Sequence, residues 1–402
     1  MQTKLTPTYR NTPPGREADR VLRSCMHCGF CNAACPTYRL LGDELDGPRG
    51  RIYQIKQLLE GTPATASLQR HLDRCLTCRA CETTCPSGVE YHRLLDIGRE
   101  EVEKRVRRPW PQRLLRFLLC TVLPYRRRFT PLIRTAQWLR PLLPDGLKQR
   151  VPPRSSLEIT SDKRLSRFVV LLEGCVQPAL APQINAATVR VLERLGVGVE
   201  TAKEAGCCGA LPYHLGDSKR ARAMARANID AWWPLVEQGA EAILINASGC
   251  APMVKDYAHL LRDDGDYAER AQHISALARD LSELLSDADL SALNNGRSRR
   301  IAFHAPCTLQ HGQKLAGVVE RLLESLGFEL VPVRDAHLCC GSAGTYSILQ
   351  PALSRQLLDD KLHALQQHNP ELIATANVGC LLHLQSKSPT PVKHWIELLT
   401  PP

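Results

Sequence analysis

The chain has 402 residues, 44% hydrophobic and 23% charged, proportions that allow a buried core and exclude a disordered or fibrous protein. That length calls for more than one domain. A net charge of +11 accompanies 17 cysteines, which is dense for so long a chain, although no segment reads as a small disulfide-stapled scaffold.

Residues 1–20 lack the apolar core of a signal peptide, so export is not expected. Cysteines held in a reducing cytoplasm point to metal ligands or redox groups rather than disulfides. No segment reaches the roughly 18 apolar residues that a membrane span requires. The longest candidate, residues 117–125, is flanked by Arg113, Arg116 and Arg126–Arg128.

Residues 25–36 read CMHCGFCNAACP and residues 75–86 read CLTCRACETTCP. Both follow C-x2-C-x2-C-x3-C-P, the spacing of a two-cluster bacterial-type ferredoxin. Three thiolates at this interval wrap a tight loop around one corner of an iron–sulfur cube. The fourth is directed toward the other cube, and the proline fixes the departing chain. One [4Fe-4S] cluster is therefore expected on Cys25, Cys28, Cys31 and Cys85, and the other on Cys75, Cys78, Cys81 and Cys35. Zinc also uses C-x2-C, but a tetrahedral site has no use for a third Cys and a Cys-Pro at this interval, twice.

Between the runs, residues 43–61 insert a turn and a helix. Gly47-Pro48-Arg49-Gly50 reads as a plain turn, with close approach to a cluster or partner as the alternative. His27, Tyr38 and Arg79 lie near the cysteines and could tune a potential from outside the ligand set, with no individual role assigned.

From Glu101 to Arg154, 14 Lys/Arg face three acids, an excess equal to the net charge of the whole chain. Trp110, Phe117, Tyr125, Phe129 and Trp138 are interleaved with the arginines, and prolines are expected to break the stretch into short helices. Such a segment fits an anionic lipid surface or a docking partner. It equally fits a solvated linker packing its leucines on a neighbour. No nucleic-acid-binding pattern accompanies the charge.

Apart from Cys120, the remaining cysteines form two sets, Cys175, Cys207, Cys208, Cys250 and Cys307, Cys339, Cys340, Cys380. Their matching intervals and shared Cys-Cys-Gly strings mark an internal duplication. In the first half, 167–175, 197–202 and 242–250 read as strands and 184–196 and 220–239 as helices. In the second, 299–307, 328–333 and 372–380 read as strands and 313–327 and 351–367 as helices. Apolar runs bounded by glycine fit buried parallel strands.

Each cysteine then falls at a strand end, where parallel α/β sheets hold their ligands. Four thiols per half are expected to converge there, as redox groups or as an additional cluster. Plain core cysteine is the alternative for any one of them. His304, His311, His337 and His383 accompany the second set, where the first has Leu172, Ala179, Ala205 and Met253. Histidines beside a redox centre could carry protons. Each alone also fits a surface or satisfied core residue.

The expected fold class is α/β with α+β: a helical and loop ferredoxin-type domain at 1–100, the basic segment at 101–160, and duplicated cysteine-rich α/β domains at 161–290 and 291–402. No G-x-G-x-x-G between a strand and a helix and no phosphate-binding loop is found, so nothing supports bound NAD, FAD or ATP. No catalytic residue is assigned, and the chain reads as an electron conduit.

The paired ferredoxin runs, the strings at residues 25–53, 204–214, 228–234, 337–346 and 392–398, and the domain order resemble the iron–sulfur subunits of flavin-linked 2-hydroxy-acid oxidases, nearest the glycolate oxidase family. The resemblance implies a complex with FAD-bearing subunits that oxidise glycolate to glyoxylate. Electrons would leave toward quinone at the cytoplasmic, inner face of the membrane, with the chain peripheral to it. The same relay for lactate or glycerol 3-phosphate is an alternative, as is a thiol–disulfide reductase of the heterodisulfide-reductase kind. The fullest cysteine-rich domain ends in C-x-x-C. Here Met253 and His383 hold the last position, which departs from a five-thiolate cluster.

Overall fold

The computed structural model describes residues 1–144, 148, 151–154, 165–293 and 299–400. Asp145, Arg150 and the expected 160/161 boundary lie outside the described residues.

The N-terminal unit is helical. Pro13–Ser24 begins with a proline at its first position, and Thr12 Oγ1 accepts from the Gly15 amide at 3.1 Å, satisfying one of the donors a helix start leaves unpaired. This helix, Pro48–Leu59 and Tyr91–Arg105 bury Leu22, Ile55, Leu94 and Leu95 in one core. The helices approach closely at Gly98, where a Cβ would lie 2.8 Å from Ile55 Cγ1. Tyr91–Arg105 runs through residue 100 and buries Val102 in this same core, so the ferredoxin-type unit extends to Arg105. The turn at 43–50 becomes a short 3-10 helix, Glu44–Asp46, with Pro48 opening the following helix.

The basic segment folds as Trp110–Val122 and Arg126–Trp138, with Pro131 accommodated inside the second helix. It straps two units together. Arg108 and Arg116 pair with Asp73 of the ferredoxin-type unit at 2.5 and 2.9 Å. Arg126 pairs with Glu173 of the first repeat at 2.8 Å, and Arg220 donates to the Cys120 carbonyl at 2.8 Å.

Each repeat is a four-stranded parallel sheet. The strands are β1 (Phe168–Leu172), β2 (Gly198–Glu200), β3 (Ile243–Ile245) and β4 (Ala278–Asp280), ordered β2-β1-β3-β4. The second sheet has β5 (Arg300–His304), β6 (Glu329–Leu330), β7 (Leu372–Thr375) and β8 (Val392–His394), ordered β6-β5-β7-β8. The edge strands β4 and β8 are too short to show periodicity, and sequence reading passed over them. Packing selects them: Asp280 closes a capping box with Glu283, and His394 one with Glu397. The expected helix at 313–327 is confined to Val318–Ser325, after Gly317 in a left-handed conformation. One core, including Leu171, Ile301, Ile373 and Trp395, runs through both repeats.

Candidate metal centres

Both cysteine loops of the ferredoxin-type unit take the same backbone path. His27 and Gly29 in the first, Thr77 and Arg79 in the second, are left-handed, with φ of 58°, 91°, 56° and 60°. Three of the four pay the steric cost that glycine avoids, which persists only where surroundings over-determine the turn. Arg99 supplies part of that: it donates to the Leu72 and Cys75 carbonyls at 3.0 and 2.7 Å and to Thr77 Oγ1 at 3.0 Å. The curled loops aim amides at sulfur, His27 N to Cys25 Sγ at 3.4 Å and Thr77 N to Cys75 Sγ at 3.5 Å.

Two neighbouring cavities result. Cys25, Cys28, Cys31 and Cys85 line one of about 430 Å³, open mouth included. Cys35, Cys75, Cys78 and Cys81 line the other, about 390 Å³. In each, the fourth cysteine comes from the opposite run. Pro48, Cys81 and Tyr91 line both, so the Gly-Pro-Arg-Gly turn and the Cys81 sulfur sit at the wall between them. The donor chemistry fits iron–sulfur clusters: at least four thiols line each cavity, with amide donors around them. Burial pushes the Cys31 thiol up to about 12 and holds Cys78 and Cys81 well above the ordinary thiol range. Free thiolates are disfavoured in such sites, and coordination to metal is what deprotonates such sulfurs.

A buried ion network behind the second cavity carries no sequence motif and was missed. Asp46 is fully buried and receives Arg51 at 3.5 Å, His71 at 3.0 Å and Arg74 at 2.6 Å. Thr37 Oγ1 donates to the Asp46 carbonyl at 2.8 Å and lies 3.3 Å from Cys35 Sγ. Tyr91 OH donates to Cys75 Sγ at 3.7 Å. An arginine and an aspartate close together near a Cys-Pro were the available signal. Of the three residues singled out from sequence, Arg79 lines the second cavity and His27 the first. Tyr38 lines neither cavity.

In the repeats, the eight remaining cysteines form two chains of contacting thiols. The thiols of Cys175, Cys207, Cys208 and Cys250 interact with one another in that order. Cys307, Cys339, Cys340 and Cys380 repeat the order, with 3.8 Å between the Cys307 and Cys339 sulfurs. Cys175 and Cys250 follow β1 and β3, and Cys307 and Cys380 follow β5 and β7, the neighbouring strands at which strand order reverses. The second chain abuts the ferredoxin-type unit: Cys307 and Cys339 share a buried cluster with Cys78, Leu76, Ala80 and Tyr346. Tyr346 OH donates to the Arg74 carbonyl at 3.1 Å, and Arg39 pairs with Asp335 at 3.1 Å across the same boundary.

The four histidines separate. His311 lies between Thr83 Oγ1 and the His337 carbonyl, 2.9 Å from each, and His337 is half-buried. His383 Nε2 is 3.2 Å from Ser354 Oγ. His304 alone joins the cysteines, within 4.8 Å of the Cys340 and Cys380 sulfurs. Burial pushes its pKa well below the ordinary imidazole value, so it is neutral.

Comparison with known proteins agrees with this architecture. The 4Fe-4S dicluster domain family matches residues 21–89, and the cysteine-rich domain family matches 169–255 and 301–385. The chain is 55% identical over 400 residues to the glycolate oxidase iron-sulfur subunit of Escherichia coli K12, covering 99% of this chain and 98% of that protein. It is 30% identical to the probable glycolate oxidase iron-sulfur subunit of Bacillus subtilis 168, over 90% of this chain and 88% of the relative. Lactate utilization protein A of Geobacillus kaustophilus is 30% identical over 244 residues, 58% of this chain and 98% of that protein.

Proposed function

The chain belongs to the family of glycolate oxidase iron–sulfur subunits, and from that premise we propose that it relays electrons through two [4Fe-4S] clusters, one on Cys25, Cys28, Cys31 and Cys85, the other on Cys75, Cys78, Cys81 and Cys35. FAD-bearing partner subunits oxidise glycolate to glyoxylate and hand over the electrons. The chain passes them toward quinone at the cytoplasmic face of the membrane.

The observation that carries this reading is the crossed grouping of the eight cysteines into two adjoining cavities. Their positions suggest a direction of travel. Cys28 is exposed, beside the exposed Met26 and Phe30, which makes the first cavity the face that meets another protein. The second cavity lies inward, against the second repeat.

The basic strap supports peripheral docking. Trp110, Phe117, Leu132, Trp138 and Leu142 are exposed, Trp138 by 79%. Arg113, Arg127 and Arg134 are exposed and form no ion pair among the described residues. Apolar rings among unpaired arginines suit an anionic bilayer surface. No helix among the described residues is long and apolar enough to cross a membrane.

Cys35→Ser tests the ligand assignment. Potentiometric EPR of the anaerobically purified chain should show loss or alteration of the cluster on Cys75, Cys78 and Cys81, with the other signal retained. Loss of the cluster on Cys25, Cys28 and Cys31 instead overturns the crossed grouping.

A further inference from the structure

The two repeats share a fold but differ at the strand ends that precede their first cysteines. β1 and β5 end at equivalent positions, three residues before Cys175 and Cys307 respectively. The terminal residue is Leu172 in β1 and His304 in β5. Their register partners on the adjacent strands are Ile245 and Thr375. The first repeat thus closes its thiol group with two aliphatic side chains, and the second with an imidazole and a hydroxyl.

That polar pair has no protein partner. His304 is 2% exposed and Thr375 fully buried, yet His304 Nδ1 and Nε2 and Thr375 Oγ1 all lack a hydrogen-bond partner. Leaving such groups unpaired in a core costs about 1–3 kcal/mol each, and two of them side by side against a group of thiols call for a partner other than the protein chain. An imidazole nitrogen of His304 can donate a lone pair to a metal. It lies within ligand spacing of the Cys340 and Cys380 sulfurs, and those two thiols continue the contacting chain from Cys339 and Cys307.

The electrostatics differ in the same sense. Gly209 packs on the Ala221 carbonyl and Gly341 on that of Ser354, which registers the two long helices and sets Asn228 against Lys361. Asn228 is neutral and donates to the Cys207 carbonyl at 2.9 Å. Lys361, only 3% exposed, donates to the Asp335 and Ala336 carbonyls; burial lowers its pKa, and the nearby Cys340, Cys339 and Cys307 thiols and Asp335 work against that shift. Lys361 thus places a buried basic nitrogen beside the second thiol group where the first repeat has a neutral amide. Sulfur ligands would also receive donors already in place, Gly341 N to Cys339 Sγ at 3.4 Å and Asn377 Nδ2 to Cys380 Sγ at 3.5 Å.

We propose that the second repeat carries its own iron–sulfur centre, held by Cys307, Cys339, Cys340 and Cys380, with His304 as an imidazole ligand to one iron. Four contacting thiolates with one imidazole suit a polynuclear iron–sulfur centre, because a single tetrahedral ion would leave a donor over. The centre extends the relay proposed above, since its thiols share a buried cluster with Cys78. The first repeat, with Leu172 and Asn228, has no equivalent ligand.

The test is pulsed EPR and metal analysis of the anaerobically purified full chain, grown with 14N- or 15N-histidine. The wild type should contain iron beyond the about eight atoms of two four-iron clusters, and one signal should show strong nitrogen coupling that follows the isotope. His304→Leu, which installs the residue the first repeat already uses, should abolish that coupling and shift or remove that signal alone. His304→Cys should keep the extra iron while losing the coupling. Iron confined to about eight atoms, zinc in place of the extra iron, or nitrogen coupling that survives His304→Leu would each overturn the proposal. The ferredoxin-type signals are read in the same samples. Their absence from the wild type would count against the two-cluster relay and leave the His304 result to be judged by itself.

Discussion

Asp46→Asn removes one negative charge from the centre of a buried network without changing its shape. In the wild type the carboxylate is fully buried and serves Arg51, 1% exposed, along with His71 and Arg74. Arg74 keeps 28% of its side chain in solvent, so its lost pairing costs at most about 1 kcal/mol. Arg51 cannot rehydrate. It retains the His71 carbonyl at 2.8 Å and Thr37 Oγ1 at 3.2 Å, but its charge loses its nearest counter-ion. Breaking a buried pair on one side costs about 3–5 kcal/mol, and Arg51 sets the size of the loss here. The loss should be local, because the Asp46 carbonyl also anchors Thr37 beside Cys35. Urea unfolding under argon, followed by visible absorption of the clusters and by circular dichroism, should show the ferredoxin-type unit destabilised by that amount. EPR should show the centre holding Cys35 altered first. A stability change under about 0.5 kcal/mol with both signals intact would refute the claim that this network holds the second cavity.

Three further outcomes are expected. Arg113→Glu/Arg127→Glu/Arg134→Glu should abolish sedimentation of the chain with anionic vesicles, the wild-type binding itself weakening with salt; unchanged sedimentation would remove the lipid-docking role. Gly341→Ala should destabilise its repeat more than Gly209→Ala does. Both residues have φ near 90°, but a Cβ meets the Ser354 carbonyl oxygen at 2.6 Å in one and the Ala221 carbonyl oxygen at 3.2 Å in the other. Equal losses of melting temperature would mean that backbone strain alone sets the cost. Burial lowers the pKa of His394 to about 4 from 6.5, so between those values the unfolded chain binds the proton and the folded one does not. Stability should therefore fall as pH drops from about 6.5 to about 4, by about 3 kcal/mol in all, and His394→Asn should flatten that slope in urea unfolding. An unaltered slope would place the titration elsewhere.

Local spacing determined much of this protein. The grouping of Cys25, Cys28 and Cys31, or of Cys75, Cys78 and Cys81, is set by a loop of a few residues, so it can be read from the chain. The duplicated intervals likewise announced two sheets with cysteines at strand ends, because a strand, a helix and a strand have characteristic lengths. Tertiary structure decided what depends on partners distant in sequence. The Asp46 network joins residues from three separate elements, and none of its members carries a motif. The edge strands β4 and β8, three residues each, exist only because a neighbour pairs with them. Among the four histidines of the second repeat, sequence offered no way to choose, since each lies within a few residues of a cysteine. The fold chose His304, because the end of β5 brings its imidazole within 4.8 Å of the Cys340 and Cys380 sulfurs, while His311 meets the His337 carbonyl and His383 the Ser354 hydroxyl. Residue type and spacing name the chemistry available to a chain, and packing decides which of those groups meet in a dry site.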